Sequence, residues 1–148
     1  MAKKAQTSRI INRRARFDYE LGDSLIVGIA LSGAETKALR MGHGQLRGAF
    51  VTMKDGELWL TGAQISSSSG TPIPAEQQGR SRKLLAKKKE IDAIEAARQQ
   101  GKTVVPLEIM TSGRYIKLKI AVGRGRRKYD KREVIKRRQQ QRDIERQI

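Results

Sequence analysis

The sequence predicts a mainly-β protein, in which a small antiparallel OB-like β-barrel carries two or three flanking helices and a basic C-terminal tail. Several short segments alternate apolar and polar residues, which is the pattern of strands with one buried face. Turn signals separate these segments, and a charge-rich segment follows the last of them. Closing an antiparallel sheet of short strands removes its exposed edges. We therefore expect a barrel domain over residues 1–122 and a tail over residues 123–148.

The strands are predicted from alternating apolar positions and from the turns between them. The first covers residues 25–31 and extends back towards Tyr19. Asp55-Gly56 suits the positive φ angles of a type I′ turn and predicts one hairpin, and Thr111-Ser112-Gly113 supplies the turn of another. The apolar positions of these two hairpins are Val51, Met53, Leu58 and Leu60, and then Val105, Leu107, Ile109, Ile116, Leu118, Ile120 and Val122.

Two helices interrupt the predicted strands. Ser32 and Glu35 have the spacing of a capping box, which predicts a helix to about Arg40 that stops at Gly42. A second helix is predicted over residues 83–100, with Gly101 as its C-terminal cap. Its apolar stripe consists of Leu84, Ile91, Ile94 and Ala97. The polar segment 66–79, which contains serines and prolines, predicts a long loop.

The tail differs from the rest of the chain in composition. Residues 123–148 hold 11 Lys or Arg, 4 Asp or Glu and few apolar residues. Such a segment buries too little surface to offset the entropy lost on ordering. We expect it to be disordered, or a fraying helix, when it is free.

The net charge indicates a polyanionic partner. The chain has 32 Lys or Arg and 15 Asp or Glu, for a formal charge of +17. A near-neutral body (23–79) is flanked by basic blocks at 1–22, 80–90 and 123–148. Any single block could be a solvated face, but several together favour nucleic acid, since neutralising phosphates releases condensed counterions. The longest apolar run is Leu25 to Leu31, far below a membrane span of about 20 residues, so we expect no membrane partner.

The sequence also favours the cytoplasm. With no cysteine, disulfides and thiolate metal sites are excluded. Residues 1–17 carry six Lys or Arg, as transit peptides often do, but they contain no apolar core and a strand pattern follows at once. We expect these residues to belong to the working protein.

The residues that could support catalysis are few. His43 is the only histidine, so it cannot form a multi-histidine metal site within one chain. Gly123-Arg124-Gly125 lacks the third glycine of a dinucleotide loop and precedes no Walker pattern. Four carboxylates could bind a metal for nuclease chemistry, although surface and capping roles account for them better; they are Asp18, Glu20, Asp23 and Glu35. We expect no enzyme activity, no metal, no cofactor and no small-molecule substrate.

The basic residues provide the stronger functional signal. Arg80, Arg82 and Lys83 fall at the predicted start of the second helix, where the helix dipole disfavours cations and an RNA phosphate would stabilise them. Lys117 and Lys119 share one face of a strand. A further basic group consists of Arg13, Arg14 and Arg16. Aromatic residues make up only 4% of the chain, so reading the shape and phosphates of a folded RNA is expected over base-by-base stacking.

Six segments occur in the order found in SsrA-binding proteins (the SmpB family), and the chain resembles that family over nearly its whole length. They are Asn12–Tyr19, Gly28–Gly42, Asp55–Leu60, Arg80–Leu85, Lys102–Ile109 and Gly125–Glu133. The resemblance implies an OB-like barrel with flanking helices that binds the tRNA-like domain of tmRNA (SsrA RNA). It further implies that protein and RNA enter stalled ribosomes in trans-translation, which rescues the ribosome and tags the nascent chain.

The resemblance also indicates which residues bind each partner. Candidate RNA-binding residues are Arg13, Arg14, Arg16, Lys37, Arg40, Arg80, Arg82, Lys83, Leu85, Lys87, Lys117 and Lys119. In the family the tail becomes helical in the small-subunit decoding centre and the empty mRNA channel. The tail residues implied here are Arg126, Arg127, Lys128, Tyr129, Asp130, Lys131 and Arg132.

The chain departs from the family at three places. Ile26 stands where the family commonly has an acidic residue that helps to bind tmRNA, and Ala86-Lys87 replaces a leucine followed by Asn or His. Residues 64–68 differ from the sequence that the family has at the end of the corresponding strand. Two alternatives remain: a ribosomal or other structured-RNA-binding OB-fold protein, and a metal-dependent nuclease. The identity of the bound RNA separates the first, and an RNA-cleavage assay with Mg²⁺ and with EDTA separates the second.

Overall fold

A computed structural model of the 148-residue chain describes residues 10–67, 70, 72–125 and 128–146. The strands are β1 (Ile10–Ile11), β2 (Tyr19–Ile29), β3 (Gly44–Gln45), β4 (Phe50–Lys54), β5 (Glu57–Thr61), β6 (Gln64–Ile65), β7 (Arg82–Leu85), β8 (Thr103–Met110) and β9 (Lys117–Gly125). The helices are α1 (Ala15–Asp18), α2 (Gly33–Arg40), α3 (Ala75–Gln78), α4 (Lys88–Gln99) and α5 (Lys128–Arg146).

The structure confirms a mainly-β, antiparallel architecture but not a closed barrel. Seven strands pair in the order β1-β8-β9-β2-β7-β5-β4, and β3 pairs with β6 separately. All of these pairings are antiparallel. Among the described residues no ladder joins β4 to β1, so the sheet stays open. β4 nevertheless contacts β8 without pairing with it, although four strands separate them in the sheet. The sheet therefore curls on itself.

The core lies on the inner side of this curled sheet. Alternate residues of each strand point inward, as the period-two pattern predicts. Two helices complete the core, with Ala38 and Leu39 of α2 and Ile94 of α4 buried. The buried strand residues include Val27, Ile29, Val51, Leu58, Leu60, Leu84, Val104, Ile109, Leu118 and Ile120. Each buried side chain of this size contributes about 1.5–3 kcal/mol.

Both predicted hairpins are present. Asp55 and Gly56 have φ angles of 53° and 73°, as a type I′ turn requires, and Lys54 pairs with Glu57 across the turn. The β8–β9 connection falls where it was predicted, although it covers the six residues between Met110 and Lys117. β2 includes the predicted extension to Tyr19, with a register shift between Leu21 and Ser24.

The first predicted helix is confirmed, and its capping box is formed. The Glu35 N–H donates to Ser32 Oγ at 3.2 Å, and the Ser32 N–H donates to Glu35 Oε1 at 2.9 Å. Gly42, with a φ of 84°, follows the helix end.

The predicted start of the second helix is wrong. Residues 82–85 form β7, and α4 begins only at Lys88. β7 pairs with β2 on one side and β5 on the other, so ladder bonds on both sides override the helical periodicity. Leu84 is consequently a core residue of the sheet. The Lys87 N–H donates to Glu90 Oε1 at 2.9 Å and caps the shorter helix. In the segment predicted as a loop, residues 75–78 form α3.

The C-terminal segment is described as a helix, α5, that contacts α1. Every α5 side chain that the structure describes is exposed, in agreement with its low apolar content. Burial therefore contributes little to this helix. Arg126 and Arg127 lie outside the described residues, and only the backbone is described for residues 128–131. The division into a body and a tail that orders on a partner stays a prediction.

Candidate nucleic-acid interface

Strands β7, β2 and β9 bring several predicted RNA-binding residues to one groove on the outer face of the sheet. Gly28 of β2 pairs with Leu85 of β7 on one side and with Lys117 of β9 on the other. A Cβ at Gly28 would lie only 3.1 Å from Leu85 Cβ. Glycine therefore lets the Leu85 side chain pack closely over β2. The resulting outer groove is lined by Ile26, Gly28, Glu57, Lys83, Leu84, Leu85, Ala86, Lys87, Glu90, Ile91 and Lys117.

The cations of the outer groove outnumber its carboxylates. Lys87 and Lys117 are exposed, and Lys119 follows two positions further along β9. Lys83 Nζ lies 2.8 Å from Glu57 Oε1, but both side chains are partly exposed. Exposed pairs of this kind contribute about 0–1 kcal/mol, so a phosphate can replace the carboxylate at little cost. The lysines can therefore contact a polyanion.

Two apolar side chains are exposed among these lysines. Ile26 is 48% exposed and Leu85 is 55% exposed. Ile26 pairs in register with Lys119, so apolar and cationic positions alternate across the groove. Phosphates would contact the lysines while a ribose or a base edge covers the apolar pair. Sequence reasoning selected Leu85 and noted Ile26 only as a departure from the family.

Arg82 does not belong to this surface, which corrects its prediction as an RNA contact. Its side chain is fully buried, and its Nε donates to Glu35 Oε2 at 2.8 Å. The remaining donors bond to the carbonyls of Ala63, Gln77, Gln78 and Arg80 at 2.9–3.3 Å. From inside the protein, Arg82 thus connects three parts of the chain: α2, the segment around α3, and β7, to which Arg82 itself belongs.

Glu35 is the acidic partner of Arg82 and is itself only 2% exposed. Arg80 donates to the same carboxylate, through Nε to Oε2 at 3.2 Å and through Nη2 to Oε1. Burial by itself would raise the pKa of Glu35, but hydrogen bonds from Arg80, the Ser32 N–H and Arg82 lower the pKa from 4.5 to about 2. Glu35 is therefore ionised at neutral pH and serves as a structural anchor.

Arg40 supports the β8–β9 turn. Its Nη1 donates to the carbonyls of Thr111 at 2.8 Å and Gly113 at 3.1 Å, and its Nη2 donates to the carbonyl of Arg114 at 2.8 Å. Three bonds from one guanidinium hold this turn on the C-terminal end of α2. Lys37, one turn earlier in α2, is exposed.

The N-terminal arginines lie apart from the outer groove. Arg13, Arg14 and Arg16 are exposed in and around α1. Arg14 lies over the Phe17 ring at 5.5 Å, and its Nε is 3.6 Å from Asp18 Oδ2. Arg14 also lines a second basic cleft, between β4 and β8, that shares no residue with the outer groove.

The second basic cleft contains cations that sequence reasoning missed. They are Arg47, Arg98 and Lys102. Arg47 and Arg98 come from segments 51 positions apart in the chain, and neither lies in a basic run. Only the curling of the sheet, which brings β4 next to β8, places them at one cleft. No local sequence signal could have identified this group.

The proposed nuclease carboxylates are not brought together. Glu35 is buried with the arginines, Asp18 interacts with Arg14, and Glu20 and Asp23 are exposed on β2. Within the described part of the chain, no three His, Cys, Asp or Glu side chains are placed to hold a metal ion. Nor is any described helix both long and apolar enough to cross a membrane.

The curled antiparallel sheet, with basic surfaces on two sides, defines a class of β-sheet proteins suited to contact a phosphate backbone. Comparison with known proteins identifies the family. The model of the SmpB protein family matches residues 9–148, and the chain belongs to this family. The prediction made from six sequence segments is confirmed.

Similar proteins match over almost their full length. The SsrA-binding protein of Trichormus variabilis is 41% identical, over 99% of this chain and 97% of the relative. That of Roseiflexus sp. is also 41% identical, over 99% and 95%. A solved chain described under "tmRNA-SmpB: a journey to the center of the bacterial ribosome" has a TM-score of 0.67 and 36% identity, over 86% of this chain and 94% of the other.

Proposed function

We propose that this protein binds the tRNA-like domain of tmRNA (SsrA RNA) and delivers it to stalled ribosomes for trans-translation. The outer groove, where lysines from β7 and β9 flank the apolar pair Ile26 and Leu85, is the observation that supports RNA binding. The identity of the RNA follows from the SsrA-binding relatives and from the similarity to a chain of a tmRNA-SmpB complex. Such a protein works in the cytoplasm, where ribosomes translate, and needs neither catalysis nor a cofactor.

The RNA contacts are proposed on the outer face of the body, residues 10–125. Lys83, Leu85, Lys87, Lys117 and Lys119 form the central contacts, with Lys37 and the exposed N-terminal arginines at the periphery. Arg82 fixes β7 from within the protein, and the half-buried Arg40 fixes the β8–β9 turn. Arg80 holds Glu35 from the partly exposed side. The contact between β4 and β8, which form no ladder with each other, supports an OB-like barrel.

The tail is proposed to act in the ribosome. Its charge comes from rows of Lys and Arg with little apolar surface to bury, so an external polyanion must stabilise its ordered form. The decoding centre and mRNA channel supply RNA phosphates on several sides. The residues proposed to contact them are Arg126, Arg127, Lys128, Tyr129, Asp130, Lys131 and Arg132.

The test is to isolate the protein from a lysate of its own cells and to sequence the RNA bound to it. A pool dominated by tmRNA supports the proposal, and a pool of ribosomal RNA fragments favours the structured-RNA alternative. Binding of purified tRNA-like RNA should weaken steeply with salt. Neutralising about six phosphates gives a slope of log K against log salt of about −4 to −5.

A matched pair of single substitutions localises the site. Lys117→Gln removes one cation from the outer groove, whereas Lys54→Gln removes one exposed cation at the β4–β5 turn, outside that groove. Lys117→Gln should weaken RNA binding several-fold, and Lys54→Gln should not. Equal effects of the two substitutions would mean that the groove is not the binding surface.

A further inference from the structure

The β8–β9 turn presents an exposed aromatic side chain that neither the core nor the outer groove uses. Tyr115 is 69% exposed. The Arg114 guanidinium lies over the Tyr115 ring, 5.7 Å from its centroid. A tyrosine so far out of the core leaves most of its ring in contact with water. Covering that ring with another flat surface would be favourable.

The backbone beneath this pair is fixed by Arg40 of α2, whose side chain is half-buried. Arg40 donates to the carbonyls of Thr111, Gly113 and Arg114, so the residues just before Tyr115 are tied to α2. On the other side of Tyr115, Ile116 is buried in the core. The ring is therefore displayed from a turn that is held on both sides. Because this turn is already ordered, binding a partner there costs little conformational entropy.

Tyr115 also continues the row of cations on β9. Burial alternates from residue 115 to residue 120, with Ile116, Leu118 and Ile120 inside. Tyr115, Lys117 and Lys119 accordingly lie on the outer side. The two lysines are about 6–7 Å apart along β9, and Tyr115 precedes them in the turn. An RNA backbone that follows the two lysines reaches the ring at the end of the row.

We propose that Tyr115 stacks on an unpaired base of the bound RNA, with the Arg114 guanidinium next to it as a second planar surface. This inference rests on the proposed function, since the backbone contacts of Lys117 and Lys119 bring the RNA to the ring. The neighbouring cations favour a nucleotide over an apolar protein surface. Arginine planes and aromatic rings are the two kinds of side chain that stack on bases of unpaired RNA. A looped-out or terminal nucleotide fits this position, and a base inside a helix does not.

The experiment compares Tyr115→Leu and Tyr115→Phe in the full-length protein, with tRNA-like RNA as the probe. Leucine keeps an apolar side chain but has no ring, whereas phenylalanine keeps the ring without the hydroxyl. We expect Tyr115→Leu to weaken binding by about 5- to 100-fold and Tyr115→Phe by less than about twofold. The salt slope should be the same in all three proteins, because no phosphate contact is lost.

Each other outcome overturns the inference in its own way. Unchanged affinity in Tyr115→Leu means that no base stacks there, while binding of the wild-type protein leaves the proposed function standing. Equal losses in the two variants assign the contact to the hydroxyl, and a smaller salt slope assigns it to a phosphate. If the wild-type protein fails to bind the RNA, the proposed function and this inference fall together. Both variants should keep the wild-type melting temperature, since the side chain is exposed.

Discussion

At the scale of single residues, the burial of one arginine changes the role that its sequence context suggests. Arg82 lies between two other basic residues in sequence, Arg80 and Lys83, and all three look alike as candidate RNA contacts. In the fold, Lys83 is on the outer groove, Arg80 is partly exposed and Arg82 is fully buried. The difference depends on Glu35, which is 47 positions away in the chain. A local sequence pattern does not contain that information.

The buried ion pair predicts a pH dependence of stability. The pKa of Glu35 is about 2 in the folded protein and 4.5 without these partners, so its contribution to stability is complete above about pH 4.5. The contribution should be lost as the pH falls from 4.5 towards 2, by a total on the order of 3 kcal/mol. Urea unfolding at several pH values should show this loss in the wild-type protein. In Glu35→Gln the same interval should be flatter, and an identical slope would contradict the assignment.

Substitution of Arg82 tests whether this residue has a structural role or contacts RNA. Arg82→Gln removes a buried guanidinium that bonds to Glu35 and to four backbone carbonyls, which should lower the free energy of unfolding by about 3–5 kcal/mol. Lys117→Gln should leave stability within about 0.5 kcal/mol and weaken RNA binding instead. Thermal unfolding and RNA binding are measured on both variants. If Arg82→Gln is as stable as the wild-type protein, the buried pair does not hold α2 to β7.

At the scale of elements, the sequence predicted those features whose signals are local. The capping box at Ser32 and the turn at Asp55-Gly56 were correct because neighbouring residues form them. The segment 82–85 was assigned to a helix because a short apolar run fits either period, and its two strand partners lie far away in sequence. The second basic cleft was missed for the same reason, since it exists only once β4 meets β8.

The packing of β7 against β2 predicts a sensitivity at Gly28. A methyl group at this position would approach Leu85 Cβ to 3.1 Å, so Gly28→Ala should displace Leu85 and lower the free energy of unfolding by about 1–3 kcal/mol. RNA binding at the outer groove should weaken as well. Gly33→Ala is the matched control, because a Cβ there meets nothing within 4 Å and the residue begins α2. Denaturant unfolding of both variants should show a loss for Gly28→Ala only.

At the scale of the whole molecule, the charge is divided between a folded body and an exposed helix. The body gathers its cations on the outer groove and in the second basic cleft, both built on the sheet. α5 buries none of its described side chains, so its charges are available to a partner that surrounds it. We therefore predict that two RNA surfaces are bound at once, one by the body and one by the tail.

The last prediction tests this division with a truncation designed on the structure. β9 extends to Gly125, which pairs with Tyr19, so a deletion should begin at residue 126 to leave the sheet intact. We expect the protein without residues 126–148 to keep its melting temperature and to bind tRNA-like RNA with less than about a tenfold loss, or 1.4 kcal/mol. Tagging of nascent chains on ribosomes stalled at an mRNA end should be abolished, because the proposed contacts with the decoding centre and the mRNA channel belong to the deleted residues.

Two comparison proteins make the outcome specific. The full-length protein with Asp130, Lys131 and Arg132 all changed to Ala should also lose tagging while it keeps RNA affinity, which separates the chemistry of the tail from its mere presence. The double variant Lys87→Gln, Lys117→Gln should behave in the opposite way. Its RNA affinity should be reduced, and its tagging should be restored when RNA is supplied in excess. If RNA affinity and tagging fall together in the truncated protein, or if tagging proceeds normally without the tail, then body and tail do not act as two separate binding units.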